Sequence, residues 1–379
     1  MSALAGCSAD LLGAPHCGEG YAYPGWPREV WDPLRDVARP EAELNECESL
    51  DLSGARLSIS DVEVLARVLQ QNGTNITRLH VGGNNLSDNG TAALAQAAHS
   101  LANLAIFDLG NANIGASGAS SLATLAAHHY GLHTILLGWN LIRDAGTVAL
   151  GAALRMGAQL TSLHLEHNEI GNDGAEALGV ELTLNPSLQV LQLEGNSIVA
   201  AGAASLSQGL RRNSALREIN LSLNQIGDEG VIHLADALTQ NVALRSLHVA
   251  GAGIGDVGAS ALGESLKVNI GLQELGLSRN GITDTGARAL ADALLLNTAL
   301  RRIDLSLNQI SHQGLAILVN VLQTNHQVVD LSIDYNFPLS GAEQLGDQDI
   351  SEDLKAQLSA ALKRNAERLI HDSGGKQEL

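Results

Sequence analysis

Hydrophobic and polar positions recur along most of this chain with a period of 28 residues. The clearest copy starts at Leu216 and reads Leu-x-x-Ile-x-Leu-x-x-Asn-x-Ile, followed by Gly-Asp-Glu-Gly. A pattern that repeats in register favours a solenoid over two or three separate domains. One apolar anchor residue marks each copy: Leu50, Leu79, Phe107, Ile135, Leu163, Leu191, Ile219, Leu247, Leu275, Ile303 and Leu331.

The spacing inside each copy predicts a strand followed by a helix. The anchor and the second residue after it, such as Leu163 and Leu165, point to one face of an extended strand and fill an apolar interior. Leucines four residues apart in the second half, such as Leu178 and Leu182, share one stripe of a helix. The sequence therefore predicts an α/β fold of alternating strands and helices.

Two sets of asparagines also recur, and both are predicted to be structural. The first set follows each anchor by five residues, where a buried amide can satisfy backbone groups of its own coil and the next coil. Its members are Asn84, Asn140, Asn168, Asn196, Asn224, Asn280, Asn308 and Asn336. The second set closes the helices, where Asn tolerates the left-handed C-cap conformation. Its members are Asn185, Asn213, Asn241, Asn269, Asn297 and Asn325.

The two ends of the chain differ from the repeats. Residues 1–48 hold five of the seven prolines and both tryptophans outside the repeats, and they are predicted to form a tail and an N-terminal cap. Residues 49–365 are predicted to form eleven repeats, which include a C-terminal capping helix, and residues 366–379 a tail. A cap is expected at each end because a repeat stack exposes its apolar core there.

These residues resemble the leucine-rich repeat family, in particular its ribonuclease-inhibitor-like class with 28-residue repeats. The resemblance covers about Leu50 to Asn365. The run from Asn224 to Gly230 is similar to repeats of cytosolic nucleotide-binding immune receptors and of Ran GTPase-activating proteins. The resemblance implies a horseshoe, with parallel strands on the concave face and helices on the convex face, and it implies protein–protein recognition. No active residue is carried over, because the chain lacks a G-x-x-x-x-G-K-[ST] loop and its repeats are uniform.

Composition narrows the classes of partner. The chain has 379 residues and a net charge of −19, which argues against nucleic acid or an anionic membrane and favours a basic protein partner. The odd cysteine count, Cys7, Cys17 and Cys47, fits a reduced cytoplasmic chain better than a disulfide framework. We expect a cytoplasmic monomer. A repeat protein that is secreted or delivered to another cell stays open as an alternative.

Candidate binding residues lie one, three and four positions after each anchor, because these side chains face outward from the strands. Trp139 suits a binding hot spot, although it could also fold back onto a neighbouring coil. We interpret His164, Glu166 and His167 as a polar patch rather than a metal site. No cofactor, metal or catalytic set is predicted. The predicted partner-binding residues of the concave face are Asp108, Trp139, His164, Glu166, His167, Gln192 and Glu194.

Two functions of different classes remain. The favoured one is a non-enzymatic interaction scaffold that binds a protein on the concave face. The alternative is a regulator that stimulates a small GTPase, for which Arg56 and Arg143, beside the strand-to-helix turns, are the candidate arginines. Stimulated GTP hydrolysis in the presence of the chain distinguishes the alternative from the favoured function.

Overall fold

The computed structural model describes residues 48–72, 75–336 and 352–372, together with a short strand at residues 16–17. Apart from residues 16, 17 and 48, the proposed N-terminal tail and cap lie outside the described residues. The chain divides into two compact units, Met1–Asn196 and Ser197–Leu379.

The first unit alternates short strands with helices. Each strand pairs in parallel with the next one along the chain. The strands are β1 (His16–Cys17), β2 (Ser49–Asp51), β3 (Arg78–His80), β4 (Ile106–Asp108), β5 (Thr134–Leu136), β6 (Ser162–His164) and β7 (Val190–Gln192). The helices are α1 (Ile59–Asn72), α2 (Ser87–Ala98), α3 (Ala116–His128), α4 (Arg143–Arg155) and α5 (Asn172–Leu182).

The second unit repeats the same arrangement. Its strands also pair in parallel with their neighbours in sequence. The strands are β8 (Glu218–Asn220), β9 (Ser246–His248), β10 (Glu274–Gly276), β11 (Arg302–Asp304) and β12 (Asp330–Ser332). The helices are α6 (Ala200–Arg212), α7 (Gly227–Leu238), α8 (Asp256–Leu266), α9 (Asp284–Leu294), α10 (His312–Val321) and α11 (Glu352–Asp372).

Each predicted anchor is the middle residue of its strand, so the predicted register is confirmed. Ile135 pairs with Phe107 on one side and with Leu163 on the other, a spacing of 28 residues in both directions. Leu163 and Leu165 are both fully buried, as the alternation of side chains requires. Burial of one such leucine stabilises the fold by roughly 1.5–3 kcal/mol.

The asparagines after the strands form the predicted ladder, but each side chain connects to the preceding coil rather than the next one. Asn140 donates from Nδ2 to Leu137 O of its own coil at 2.9 Å and to Leu109 O of the preceding coil at 3.0 Å. Its Oδ1 accepts from Ile114 N at 2.9 Å. The turn after the strand places the amide beside the backbone of the preceding coil, so the bonds run in that direction.

The asparagines at the helix ends are structural, but the predicted reason is wrong. Asn213 follows α6 with φ −73° and ψ 137°, and none of the six residues has a positive φ. Instead, the side chains form a second ladder. Asn241 Oδ1 accepts from Ala243 N and Leu244 N, while Nδ2 donates to Asn213 O of the preceding coil at 3.0 Å. The amide therefore replaces backbone partners that the chain loses on leaving the helix.

A set of aspartates caps the helix of the following coil, which explains the Gly-Asp-x-Gly part of the repeat. Asp144 Oδ1 accepts from Gly171 N at 2.7 Å and from Gly174 N at 2.9 Å, at the start of α5. A Cβ added at Gly174 would lie 2.7 Å from the same carboxylate oxygen. Glycine is required there because the cap approaches so closely, and the carboxylate also stabilises the helix N-terminus.

The last helix, α11, covers the end of the second unit. It begins at Glu352 and extends to Asp372, beyond residue 365, where the sequence-based boundary of the repeats was placed. Leu354 and Leu358 are buried on its inner face. Asn365 is fully buried and donates to Asn325 O at 3.0 Å and to Val328 O at 2.8 Å, so the helix-end ladder continues into it.

Candidate functional site

The solvent-facing side of the strand layer, called the strand face below, is formed by four positions per repeat. These are the residues one before the anchor and one, three and four after it. The position before the anchor was not predicted to face outward, although the same alternation of side chains runs backward from the anchor. Ser162, Arg78 and Arg302 occupy it, so this face carries basic residues at this position.

The fourth residue after each anchor adopts the left-handed conformation. Glycine fills this position in four of the coils, for example Gly195 with φ +66°. Trp139 occupies it with φ 61° and His167 with φ 52°. An L-residue in this conformation costs roughly 1–2 kcal/mol. Trp139 therefore projects from a turn where glycine is the residue of lowest conformational cost.

Trp139 and His167 form a stacked pair on the strand face of the first unit. Their ring centroids are 3.8 Å apart and their planes differ by 21°. A Cβ added at Gly195 would lie 2.2 Å from the His167 ring, so this glycine leaves the space that the imidazole occupies. Trp139 nevertheless remains 64% exposed. Trp139 therefore contacts the neighbouring coil and still presents a large apolar surface, and its role as a binding hot spot stays a prediction.

Ser162, His164 and Glu166 are joined by hydrogen bonds along β6 and the turn after it. Ser162 Oγ lies 2.9 Å from His164 Nε2, and His164 Nδ1 lies 2.9 Å from Glu166 Oε1. A neutral imidazole that donates from Nδ1 to the carboxylate can accept the serine proton at Nε2. The order of groups is that of a hydrolase triad.

The surroundings of this chain of hydrogen bonds favour an orienting role. The backbone amides of Thr161 and Ser162 both donate to His133 O, at 2.8 and 3.0 Å, so neither can act as an oxyanion donor. The hydrogen bonds instead hold the Glu166 carboxylate in one position beside Trp139. Sequence spacing alone had not assembled these three residues, although side chains two apart share a strand face.

The remaining predicted site residues differ in how much surface they present. Asp108 is half-buried, with Oδ1 accepting from Gly110 N at 3.0 Å and Oδ2 3.2 Å from His80 Nδ1. Glu194 is also half-buried, whereas Gln192 is only 9% exposed. Gln192 therefore contributes little surface to this face.

Charge on the strand face of the first unit is mainly negative. Asp51, Asp108, Glu166 and Glu194 face outward there, against the single guanidinium of Arg78. In the second unit, the Arg302 guanidinium pairs with Glu274 at 2.6 Å, and this hydrogen bond raises the pKa of Arg302. The second unit also carries carboxylates on this face, among them Asp304 and Asp334, so carboxylates that attract basic groups lie on both units.

Both candidate arginines for a GTPase regulator are exposed surface residues. Arg143 donates from Nε to Glu169 Oε2 at 2.9 Å, and both side chains are exposed. Arg56 is an exposed turn residue with φ 58°.

Within 48–72, 75–336 and 352–372, no group of three or more His, Cys, Asp or Glu side chains could hold a metal ion. Over the same part of the chain, no helix has the length and apolar character needed to cross a membrane.

Comparison with known proteins identifies the repeats. The family described as Leucine Rich repeat matches residues 74–95, 159–179, 212–235, 240–263 and 268–291. The chain therefore contains leucine-rich repeats, and its predicted fold class, with parallel strands in one layer and helices in the other, is confirmed. Leucine-rich repeats generally mediate protein–protein interaction and are typically non-enzymatic. No curated protein matches the sequence.

Several solved structures are similar to this one. An internalin from Listeria monocytogenes is 19% identical over 88% of this chain and 91% of that chain, with a TM-score of 0.47. A chain of the Rad7 and Elc1 complex in yeast is 15% identical over 82% of this chain and 80% of that chain, with a TM-score of 0.48. The tropomodulin C-terminal domain of Caenorhabditis elegans is 19% identical over 46% of this chain and 99% of that one, with a TM-score of 0.39.

Proposed function

We propose that this chain is a non-enzymatic scaffold that binds a protein partner on the strand face of its first unit. The observation that carries the proposal is the exposed indole of Trp139, which is stacked on His167 and held in a left-handed turn. Large aromatic side chains with restricted motion dominate binding energy at protein interfaces. Tyr335 is exposed in an equivalent left-handed turn, so exposure and conformational cost alone do not single out Trp139. Its stacking on His167 does, because the contact restricts the motion of the indole before a partner binds.

The partner is proposed to be basic, because the carboxylates of Asp108, Glu166 and Glu194 lie on the strand face of the same unit. The net charge of −19 disfavours nucleic acid and anionic membranes as ligands. The proposal places a monomeric chain in the cytoplasm, where an odd number of cysteines stays reduced. The ribonuclease-inhibitor-like class is part of the same proposal. The comparisons give the small-GTPase alternative no support.

Affinity capture with a double variant tests the proposal. The wild-type chain and the Trp139→Ala, Glu166→Ala variant are used as bait in native lysate, and captured proteins are identified by mass spectrometry. We expect the main captured partner of the wild type to be lost with the variant. The variant should stay folded and lose roughly 1–2 kcal/mol of stability, because it removes the Trp139–His167 stacking and a hydrogen bond of the half-buried Glu166.

Tyr335→Ala is the matched control. Tyr335 also follows an anchor by four residues, has φ 58° and is 78% exposed, but it belongs to the second unit. Capture should survive this substitution. Equal capture by the wild type and the double variant contradicts the proposed site.

A further inference from the structure

Three consecutive coils of the first unit have glycine three residues after the anchor. Gly82, Gly110 and Gly138 are called the glycine row below. None of them has a positive φ, and other coils carry Ser, Glu or Asp at the same position. A Cβ added at Gly110 would meet no atom closer than 3.4 Å, and one added at Gly138 would meet only the end of the Glu166 side chain at 3.1 Å. The backbone therefore does not require glycine at these two positions, whereas a Cβ added at Gly82 would lie 2.9 Å from Gly110 O. The row leaves three consecutive coils without a side chain at this position of the strand face.

Trp139 lies beside the glycine row, directly after Gly138. One side of its ring is stacked on His167, which belongs to the next coil. Trp139 nevertheless remains 64% exposed, so much of the indole outside this stacked contact is open to a ligand.

Two carboxylates lie over the glycine row. Glu166 Oε2 is 3.1 Å from the Cβ position of Gly138 and accepts no hydrogen bond in the described part of the chain. The other carboxylate oxygen, Oε1, is hydrogen-bonded to His164 Nδ1. Asp108 Oδ1 lies 3.4 Å from the Cβ position of Gly110. These residues belong to strands two apart, which are separated by roughly 10 Å. The row thus has no side chains of its own and is bordered by the Trp139 indole and by the carboxylates of Asp108 and Glu166.

We infer that this surface recognises an arginine side chain of the partner, with the guanidinium stacked on the exposed part of the Trp139 indole and paired with the Glu166 carboxylate of the next coil. Arginine fits because its planar group both stacks on an aromatic ring and hydrogen-bonds a carboxylate with two N–H groups. The ammonium of lysine is a compact point charge and cannot do both in one geometry. The inference rests on the proposed function and specifies the chemistry of the same site.

Calorimetric titration with defined peptides tests the inference. An oligo-arginine peptide and length-matched oligolysine and oligocitrulline peptides are titrated into the full chain at low ionic strength. We expect the arginine peptide to bind about fivefold to tenfold tighter than the lysine peptide, because stacking adds to the charge attraction. The uncharged citrulline peptide should bind weakest.

Substitutions test which residues cause the preference for arginine over lysine. Trp139→Ala should bring the ratio of the arginine and lysine affinities close to one, whereas Tyr335→Ala should leave it unchanged. Gly110→Gln, which fills the glycine row with an uncharged side chain, should weaken arginine binding without unfolding the chain. Equal affinity of the wild type for the two peptides overturns the inference, as does a preference that survives Trp139→Ala.

The two proposals fail in different ways. If partner capture depends on Trp139 but the peptides show no arginine preference, the scaffold function stands and the arginine inference is wrong. If the double variant captures the partner as well as the wild type does, the proposed site is wrong, and the arginine inference falls with it.

Discussion

The substitution Gly195→Ala tests how the stacked pair is held in place. Gly195 has φ +66°, and a Cβ there would lie 2.2 and 2.3 Å from two atoms of the His167 ring. The left-handed conformation costs an alanine roughly 1–2 kcal/mol. The ring must also move by about 1 Å to reach ordinary contact, which disturbs its stacking with Trp139. Loss of an aromatic pair costs about 0.5–1.5 kcal/mol, so we expect a total destabilisation of roughly 2–3 kcal/mol.

Equilibrium denaturation of a double-mutant cycle separates the two contributions. Gly227→Ala is the matched control, because Gly227 has φ +61° and a Cβ there would meet no atom within 4 Å. It should lose the conformational part alone. In a His167→Ala background, Gly195→Ala should become as mild as Gly227→Ala. The reasoning is refuted if the two glycine substitutions cost the same in the wild type, or if removing the His167 ring leaves the cost of Gly195→Ala unchanged.

Two further predictions concern stability. Asn168→Ala removes a fully buried amide that donates to Leu137 O at 2.8 Å and accepts from Ile142 N at 3.2 Å, so we expect a loss of about 2–4 kcal/mol in chemical denaturation. An unchanged stability would show that the ladder is dispensable. Burial and the nearby His129 and His128 lower the pKa of His99 below its usual 6.5. The unfolded state therefore binds a proton at His99 at a higher pH than the folded state does. The contribution of neutral His99 to stability is complete above the usual pKa and is lost as pH falls from there through the lowered pKa of the folded state. His99→Gln should reduce the loss of stability measured between about pH 7.5 and pH 5.5, and an equal loss in both proteins would contradict this.

The repeat period was enough to place the strands, because an anchor such as Leu163 must be buried wherever the coil occurs. It also identified Asn140 and its equivalents as structural. The structural roles of individual residues were harder to predict. Asn241 was assigned a backbone role, whereas its side chain bonds the preceding coil, and the cap that Asp144 provides to α5 was missed altogether. Such bonds join residues 27 to 31 positions apart, and their direction depends on how each turn folds.

The candidate site was predicted in outline from positions on a strand. Trp139 and His167 are 28 residues apart, so the period itself makes them neighbours, and their stacking was accessible in principle. The space for that stacking depends on Gly195, because a side chain there would collide with the His167 ring. A pattern of hydrophobic and polar positions does not reveal such a requirement for glycine. The chain of hydrogen bonds from Ser162 to Glu166 was missed because it begins at the position before the anchor.

The most direct test of the central claim is site-specific photocrosslinking from two positions of the first unit. A photoreactive amino acid is placed at Leu136, on the strand face beside Trp139, or at Val180, an exposed residue of α5. After irradiation in native lysate, crosslinked proteins are identified by mass spectrometry. The proposed binding face predicts that position 136 crosslinks the captured partner and position 180 does not. Crosslinking of the partner from position 180, with none from position 136, would contradict it.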